Sequence, residues 1–365
     1  MVVYDIPNLL VILIVIIASA SLGFISARIA LLLGLFAFAP FALNDVLFPA
    51  SYMPDQFKYF NIVKSLRSGE FNNDDYASTV EFSGWIFSLL PLPFVETISS
   101  LGFYNRFLVT IIIIWLYSKK LLRGWPLLFV ILYPSFILYS SLSLRDTLVF
   151  SFMIASVIFF IERRFMLSVL VSLPLIFIKF QNFFLIVVFY VVYLSFVEGG
   201  VFKKFRFIFL ALTLLCLSPF ITSIIESLNF YRKAMFFEDG GDSALYIPIS
   251  SVSDFIILSV NSAPYFLLKP LPWEASNILQ ILQSIENILV LAFVYYLTVR
   301  ANKVDKLTSM KWLIILLIWS AVYGLVVSNF GTAVRYKFPL VLTYVIGLSY
   351  DLKINYNFYF MRKKS

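Results

Sequence analysis

Long unbroken apolar runs limit what this chain can fold into. Residues 9–20 and 183–197 carry almost no polar side chains, and similar runs recur from end to end. Of the 365 residues, 61% are hydrophobic and 13% charged, against roughly 25% charged in a soluble domain. A chain this apolar cannot bury its surplus in a core of its own, so lipid must cover it. Inside hydrocarbon every backbone N–H and C=O needs an internal partner, which leaves helices or a closed barrel. Barrel strands alternate apolar and polar residues, whereas these runs are continuous. The expectation is an all-α polytopic integral membrane protein, with residues 1–365 forming a single transmembrane domain.

A span needs about 20 residues. On that basis spans are expected near 7–26, 29–48, 103–118, 125–142, 144–161, 165–180, 183–198, 205–226, 276–299, 310–328 and 337–350, about 11 in all with a range of roughly 10–13. Ala18-Ser19-Ala20 looks like a signal-peptide cleavage site, but Met1-Val-Val-Tyr-Asp5 has no basic n-region, so the first helix is read as retained. Segment 81–101 contains Pro91 and Pro93 and reads as a further span, a re-entrant hairpin or an interfacial helix. Segment 253–268 is apolar but short, and reads as re-entrant or interfacial.

The net charge of +8 resides in short basic clusters between the apolar runs. These are Lys119-Lys120 with Arg123, Arg163-Arg164, Lys203-Lys204 with Arg206, Arg300 through Lys303 to Lys306, and Arg362-Lys363-Lys364. From residue 103 onward they fall on alternate loops, as the positive-inside rule asks of consecutive spans. The C-terminus is then cytoplasmic. Residues 49–102 form a first outer loop and 227–275 a long extracytoplasmic loop. The sequence has no His, which excludes His-based acid–base or metal chemistry. The lone Cys216 cannot form an intramolecular disulfide and reads as a small buried residue. No cofactor and no metal are expected.

Charges in or near a membrane are costly and mark functional candidates. Ser143-Leu-Arg145-Asp146-Thr147 opens a span, and a helix start suits an anion such as phosphate, to which Arg145 adds a forked donor set. Asn329-Phe-Gly331-Thr332-Ala-Val-Arg335-Tyr336-Lys337-Phe-Pro339 puts two cations on the side that the charge rule leaves poor in them, with Gly331 in a tight turn and Pro339 starting the last span. Lys269-Pro270-Leu-Pro272-Trp273-Glu274 offers an interfacial or sugar-stacking Trp273 and a carboxylate. Lys179-Phe-Gln181-Asn182 lies in a turn whose amides suit sugar hydroxyls, and Asp55 is a candidate base in Pro54-Asp55-Gln56. Arg232-Lys233 followed by Glu238-Asp239-Gly240-Gly241-Asp242 mark a polar loop, read as a lid, an acceptor-binding loop or a plain connector. Three of these clusters begin helices running from outside to inside, so an outer cationic cavity fitted to a lipid-linked pyrophosphate bearing a glycan is expected. Candidate bases are Asp146, Glu274 and Asp55. Candidate substrate-binding residues are Arg145, Arg335, Lys337, Lys269, Trp273, Gln181, Asn182 and Arg232.

Ser141-Leu-Ser-Leu-Arg145-Asp146-Thr147 and Asn329-Phe-Gly-Thr-Ala-Val-Arg335-Tyr-Lys-Phe-Pro339 resemble patterns in bacterial Wzy-type polymerases of O-antigen and capsule repeat units. Lys269-Pro-Leu-Pro-Trp273-Glu274, with Glu286-Asn287 after it, is similar to segments of multispanning proteins from such polysaccharide systems. The resemblance implies a glycosyltransferase fold of the C type in the bacterial inner membrane, acting at the periplasmic face without a nucleotide sugar. The implied substrate is an undecaprenyl-pyrophosphate-linked oligosaccharide. The implied partners are a flippase and a chain-length regulator, with no nucleic acid. Arg145 and Arg335 match the family's outer-side arginines, while Lys337 stands where an Arg is often seen. Two rival readings are a polyprenyl-phosphate-sugar glycosyltransferase, with Asp55 central, and a transporter or flippase of lipid-linked glycan. A scaffold role would leave the outer cations unexplained.

Overall fold

A computed structural model describes residues 2–44, 53–70, 77–196, 221–238, 246–327 and 329–352, with the isolated residues 46, 47, 49, 51, 208 and 219; only the backbone is described at Val2 and Glu238. Every regular element among them is helical. Four helices are long and apolar enough to cross a membrane by length and composition: Val3–Ser21, Ser100–Ser118, Ile278–Val304 and Lys306–Val326. Shorter apolar helices accompany them at Ala27–Leu43, Asp146–Ile161, Phe165–Ile178, Phe180–Ser195 and Val252–Leu268. Large apolar side chains such as Leu31, Leu35 and Met166 stand exposed on these helices. Such surfaces suit lipid contact.

The chain divides into two compact units, residues 1–186 with 353–365, and residues 187–352. In the first unit, helix Ile6–Ser21 packs on Ala27–Ala37 and Ser100–Ser118, and Ser100–Ser118 packs on Asp146–Ile161. Three expected spans come in two pieces here. The helices break at Phe38 before Ala39–Leu43, at Tyr133 before Pro134–Tyr139, and at Leu173 before Pro174–Ile178. A proline lies at the start of each second piece, where it removes an N–H from the helical ladder and crowds the preceding turn.

The ambiguous segment 81–101 resolves into an 11-residue helix, Ser78–Ser88, followed by an irregular stretch. Arg67 holds that stretch by donating to the carbonyls of Ser88 (3.0 Å), Leu90 (2.8 Å) and Leu92 (2.5 Å). Its guanidinium lies 5.1 Å from the Tyr104 ring centroid. The N-terminal helix is fastened to the same region. Asn8 exchanges hydrogen bonds with the Phe94 carbonyl (2.9 Å) and amide (3.2 Å), and the Asp5 carboxyl accepts from the Ser100 hydroxyl at 2.7 Å.

In the second unit, Lys306–Val326 is the central helix. It packs against Ile221–Glu238, Val252–Leu268, Ile278–Val304 and Phe330–Asp351. The stretch expected as the long loop 227–275 therefore holds most of one helix and all of another. Asp305 caps the central helix by accepting from the amides of Leu307 (2.9 Å) and Thr308 (3.3 Å). The Thr308 hydroxyl, the largest influence, together with these amides and the Lys311 charge, holds its carboxyl below the usual carboxylate range against the opposing effect of burial. Two glycines permit close packing. A Cβ at Gly324 would overlap the Ser262 carbonyl oxygen, and one at Gly347 would overlap the Trp312 ring. Small residues let apolar helices approach at backbone distance. The Lys311–Asp351 ion pair (2.7 Å), joined by the Tyr193 hydroxyl (2.9 Å) and the Trp312 indole N–H (3.0 Å), ties three helices together.

The C-terminal motif departs from its expected shape. Helix Phe330–Asp351 starts at Phe330, with Asn329 accepting from the Gly331 amide at 2.7 Å, so Gly331 makes no separate turn and Pro339 lies inside the helix. Likewise, helix Phe180–Ser195 takes in Gln181 and Asn182, and the break in the chain is at Lys179. The expected span 205–226 falls largely outside the described residues, as do Cys216, the cluster Lys203-Lys204 with Arg206, Asp239, Asp242 and the basic C-terminus.

These contacts predict that Gly324→Ala lowers stability by about 1–3 kcal/mol through overpacking. Gly34, in helix Ala27–Ala37, has nothing within 4 Å of its would-be Cβ. There Gly34→Ala is neutral or stabilises by about 0.5–1 kcal/mol. Thermal unfolding of the two purified variants in detergent measures the contrast.

Candidate functional site

The first unit places the Ser141-to-Thr147 motif in a buried connection whose backbone is satisfied by distant side chains. Asn105 donates to the carbonyls of Leu142 and Leu144, both at 2.7 Å. Gln56 accepts from the Ser143 amide at 2.9 Å, and the Ser143 hydroxyl donates to the Ile98 carbonyl. Buried Arg106 donates to the Ser141 hydroxyl (3.2 Å) and the Ile137 carbonyl (3.3 Å). A Cβ at Gly102 would overlap the Ser141 carbonyl oxygen, so helix Ser100–Ser118 lies against this connection at backbone distance.

Arg145 sits directly before helix Asp146–Ile161. One of its terminal nitrogens donates to the carbonyls of Ile178 (2.8 Å) and Thr79 (3.3 Å), and its guanidinium is 5.8 Å from the Tyr59 ring centroid. Its Nε and the Thr147 hydroxyl are buried and make no hydrogen bond among the described residues. Buried polar atoms nearly always have a partner, and this helix start holds two of the ten buried side-chain atoms that lack one among the described residues. Asp146, 2% exposed, pairs with Lys179, 8% exposed, at 3.6 Å. Lys179, which the sequence places in a turn, is brought by the structure to the motif. Asn182 donates to the Met153 sulfur at 2.9 Å, and Gln181 is half-buried in the same helical turn. Asp55 starts helix Asp55–Ser68 and pairs with Lys58 at 3.1 Å, with its side chain 41% exposed.

The second unit gathers another group. Lys337, 1% exposed, donates to the Asn287 amide oxygen (2.8 Å) and the Leu267 carbonyl (3.0 Å). Asn287 donates onward to the carbonyls of Lys269 (2.9 Å) and Leu268 (3.3 Å). Together they satisfy the C-terminal carbonyls of helix Val252–Leu268, which no further turn can reach. Lys269 pairs with Glu274, whose second oxygen accepts from the Leu271 amide at 3.0 Å. The Lys269–Pro270 peptide bond is cis. Trp273 projects with 79% of its surface exposed. Arg335 is half-buried on helix Phe330–Asp351, with its guanidinium 5.9 Å from the Tyr336 ring centroid. Arg232 lies on helix Ile221–Glu238 and donates to the Ile247 carbonyl at 3.3 Å.

Thus Arg145 and Asp146 stand side by side in the first unit, and in the second Lys269 pairs with Glu274 while Asn287 links the Lys269 carbonyl to Lys337. Each of the three candidate carboxylates is already paired with a lysine. Sequence reasoning missed Asn105, Arg106, Gln56 and Lys179 as supports of the motif. Asn105, Arg106 and Lys179 are polar residues in apolar stretches, the signal that could have found them, whereas Gln56 stands in the polar stretch Asp55–Lys58 and carries no such signal. Among the described residues no group of three or more His, Cys, Asp or Glu side chains is placed to hold a metal ion.

Breaking the Asp146–Lys179 pair isolates a buried carboxylate from its counter-charge. Lys179→Met is expected to cost about 3–5 kcal/mol, and adding Asp146→Leu to recover much of that loss. Thermal unfolding of the single and double variants reads both effects. Equal stability of the Lys179→Met variant and wild type would show that the pair carries no weight.

No family model, curated relative or solved structure matches this chain.

Proposed function

We propose that this chain is a membrane glycosyltransferase that polymerises undecaprenyl-pyrophosphate-linked oligosaccharide repeat units into O-antigen or capsular polysaccharide, at the periplasmic face of a bacterial inner membrane. The observation that carries this reading is the start of helix Asp146–Ile161, where Arg145 is fixed by two carbonyls while its Nε and the Thr147 hydroxyl lack acceptors or donors among the described residues. A helix start with its positive end and a guanidinium together suit a phosphate-bearing ligand. The resemblance of this motif and of the Arg335 segment to repeat-unit polymerases supplies the substrate class. The fold proposed with it is a glycosyltransferase of the C type with about eleven spans and an extracytoplasmic stretch at 227–275.

In the proposed reaction the acceptor hydroxyl oxygen attacks the anomeric carbon of the growing chain. The bond from that carbon to the pyrophosphate oxygen breaks, and the electron pair leaves with undecaprenyl pyrophosphate. Arg145 offsets charge on the leaving group, an electrostatic contribution that the chemistry needs most at that point. The acceptor proton passes to a carboxylate. Access ranks Asp55 ahead of Glu274, and both ahead of Asp146, whose side chain is almost wholly buried. No metal enters this scheme.

A second reading, a transferase using a polyprenyl-phosphate sugar as donor, draws on the greater openness of Asp55. It differs in product, adding one sugar where a polymerase makes a ladder of lengths.

Deleting the gene in its host and resolving the surface polysaccharide on a gel separates these readings. The polymerase reading expects a core bearing one repeat unit after deletion and a full ladder on complementation with wild type. Arg145→Ala and Arg335→Ala, each checked for membrane expression, are expected to lower polymer yield about 100-fold or more, the scale of a lost charge-stabilising donor. Loss of even the single repeat after deletion favours another transferase or a flippase, and an unchanged ladder contradicts the reading.

A further inference from the structure

The second unit contains an open cleft of about 310 Å³ whose walls include neither Lys269 nor Lys337. This size falls at the lower end of the roughly 300–1,000 Å³ range of small-ligand sites. Its walls are Arg232 and Phe236 from helix Ile221–Glu238, Tyr246 and Ile247 from the extended stretch that follows, Tyr265 from helix Val252–Leu268, and the end of the central helix from Gly324 to Val327.

The walls are built, and do not arise from loose packing. Asn229 donates to the Ile249 carbonyl (2.9 Å) and accepts from the Ile249 amide (2.8 Å), while the Tyr246 hydroxyl donates to the Asn229 carbonyl (2.8 Å). These three bonds clip the extended stretch onto the helix that carries Arg232 and Phe236. They also turn the Tyr246 ring toward Phe236, with centroids 6.0 Å apart. Below the cleft, Ile225, Ile249 and Leu325 form a small apolar cluster.

The chemistry of the walls selects among ligands. Arg232 is the one wall residue that carries a formal charge, and among the described residues its guanidinium makes one hydrogen bond, leaving most of its five donors open. The last turn of the central helix presents its C-terminal carbonyls, and this end of a helix is partially negative. A phosphate would meet Arg232 and a repelling helix end, while the nearby Lys269 ammonium, 5.2 Å from the Tyr265 ring centroid, is already neutralised by Glu274. A hydroxyl-rich neutral ring suits all three kinds of wall. Its hydroxyls donate to the carbonyls, its ring and hydroxyl oxygens accept from Arg232, and its C–H face lies on Phe236, Tyr246 or Tyr265.

We infer that this cleft binds a neutral sugar ring of the glycan carried by the lipid-linked substrate. The inference rests on the proposed function, whose substrate it makes more specific: the pyrophosphate is held elsewhere and Arg232 contacts sugar.

Saturation-transfer NMR on the purified full-length chain in detergent tests it. The probe is the mixture of neutral oligosaccharides released by mild acid from the host's surface polysaccharide, with inorganic pyrophosphate as competitor. Wild type is expected to transfer saturation to sugar ring protons. Arg232→Gln and Phe236→Leu are each expected to reduce that transfer at least five-fold while keeping the wild-type elution profile. Should one variant fail to fold, the other still decides. Excess pyrophosphate is expected to leave the signal in place. Equal transfer in wild type and a folded variant overturns the inference, as does no transfer in wild type or displacement of the sugar by pyrophosphate. Variant-sensitive sugar binding in a host whose ladder survives gene deletion would retain the cleft and remove the polymerase reading. A deletion-dependent ladder without such binding would do the reverse.

Discussion

A buried polar group in an apolar chain must find its partner within the protein, and this constraint organises the molecule. An isolated charge in hydrocarbon is costly, and several buried charges here are answered locally. Asp146 is held by Lys179, Asp351 by Lys311 with Tyr193 and Trp312, and Lys337 by Asn287 and the end of helix Val252–Leu268. Backbone that leaves the helical ladder obeys the same rule. Arg67 gathers three carbonyls after Ser88, and Asn105 gathers two before Arg145. Irregular stretches at such positions are tolerated because side chains supply what the helix no longer does.

This satisfaction makes the exceptions informative. At Arg145-Asp146-Thr147 the supporting bonds are in place, yet the Arg145 Nε and the Thr147 hydroxyl are left over. The rigid support and the unused polar atoms coincide at one helix start, and the proposed pyrophosphate contact is built on that coincidence. In the second unit the lysine group is nearly saturated by protein acceptors, whereas Arg232 faces an open cleft with most of its donors unused. Cations that looked alike in the sequence therefore differ in how much of their hydrogen-bonding capacity remains.

The helical nature of the chain was legible because apolar runs and basic clusters are local signals. Ser100–Ser118, Ile278–Val304 and Lys306–Val326 lie close to where those runs place them. The interruptions at Phe38, Tyr133 and Leu173 were less visible. A proline in an apolar run either kinks a helix or ends it, and Pro264 and Pro339 remain inside theirs. The site was legible only in part. Asp55–Lys58 and Lys269–Glu274 lie near each other in sequence, but Asp146–Lys179 and Lys337–Asn287 are separated by 33 and 50 residues. Pairing at that range follows from how helices pack, which residue spacing does not encode.

Reconstitution tests the central claim most directly. The purified chain in liposomes would be given undecaprenyl-pyrophosphate-linked repeat units from the host as its sole substrate. Products would be followed by gel for polymer and by chromatography for free undecaprenyl pyrophosphate. The account predicts a ladder of lengths, with one undecaprenyl pyrophosphate released for each new glycosidic bond. Movement of the lipid-linked unit across the bilayer with no new bond, or release of lipid without chain growth, would contradict it.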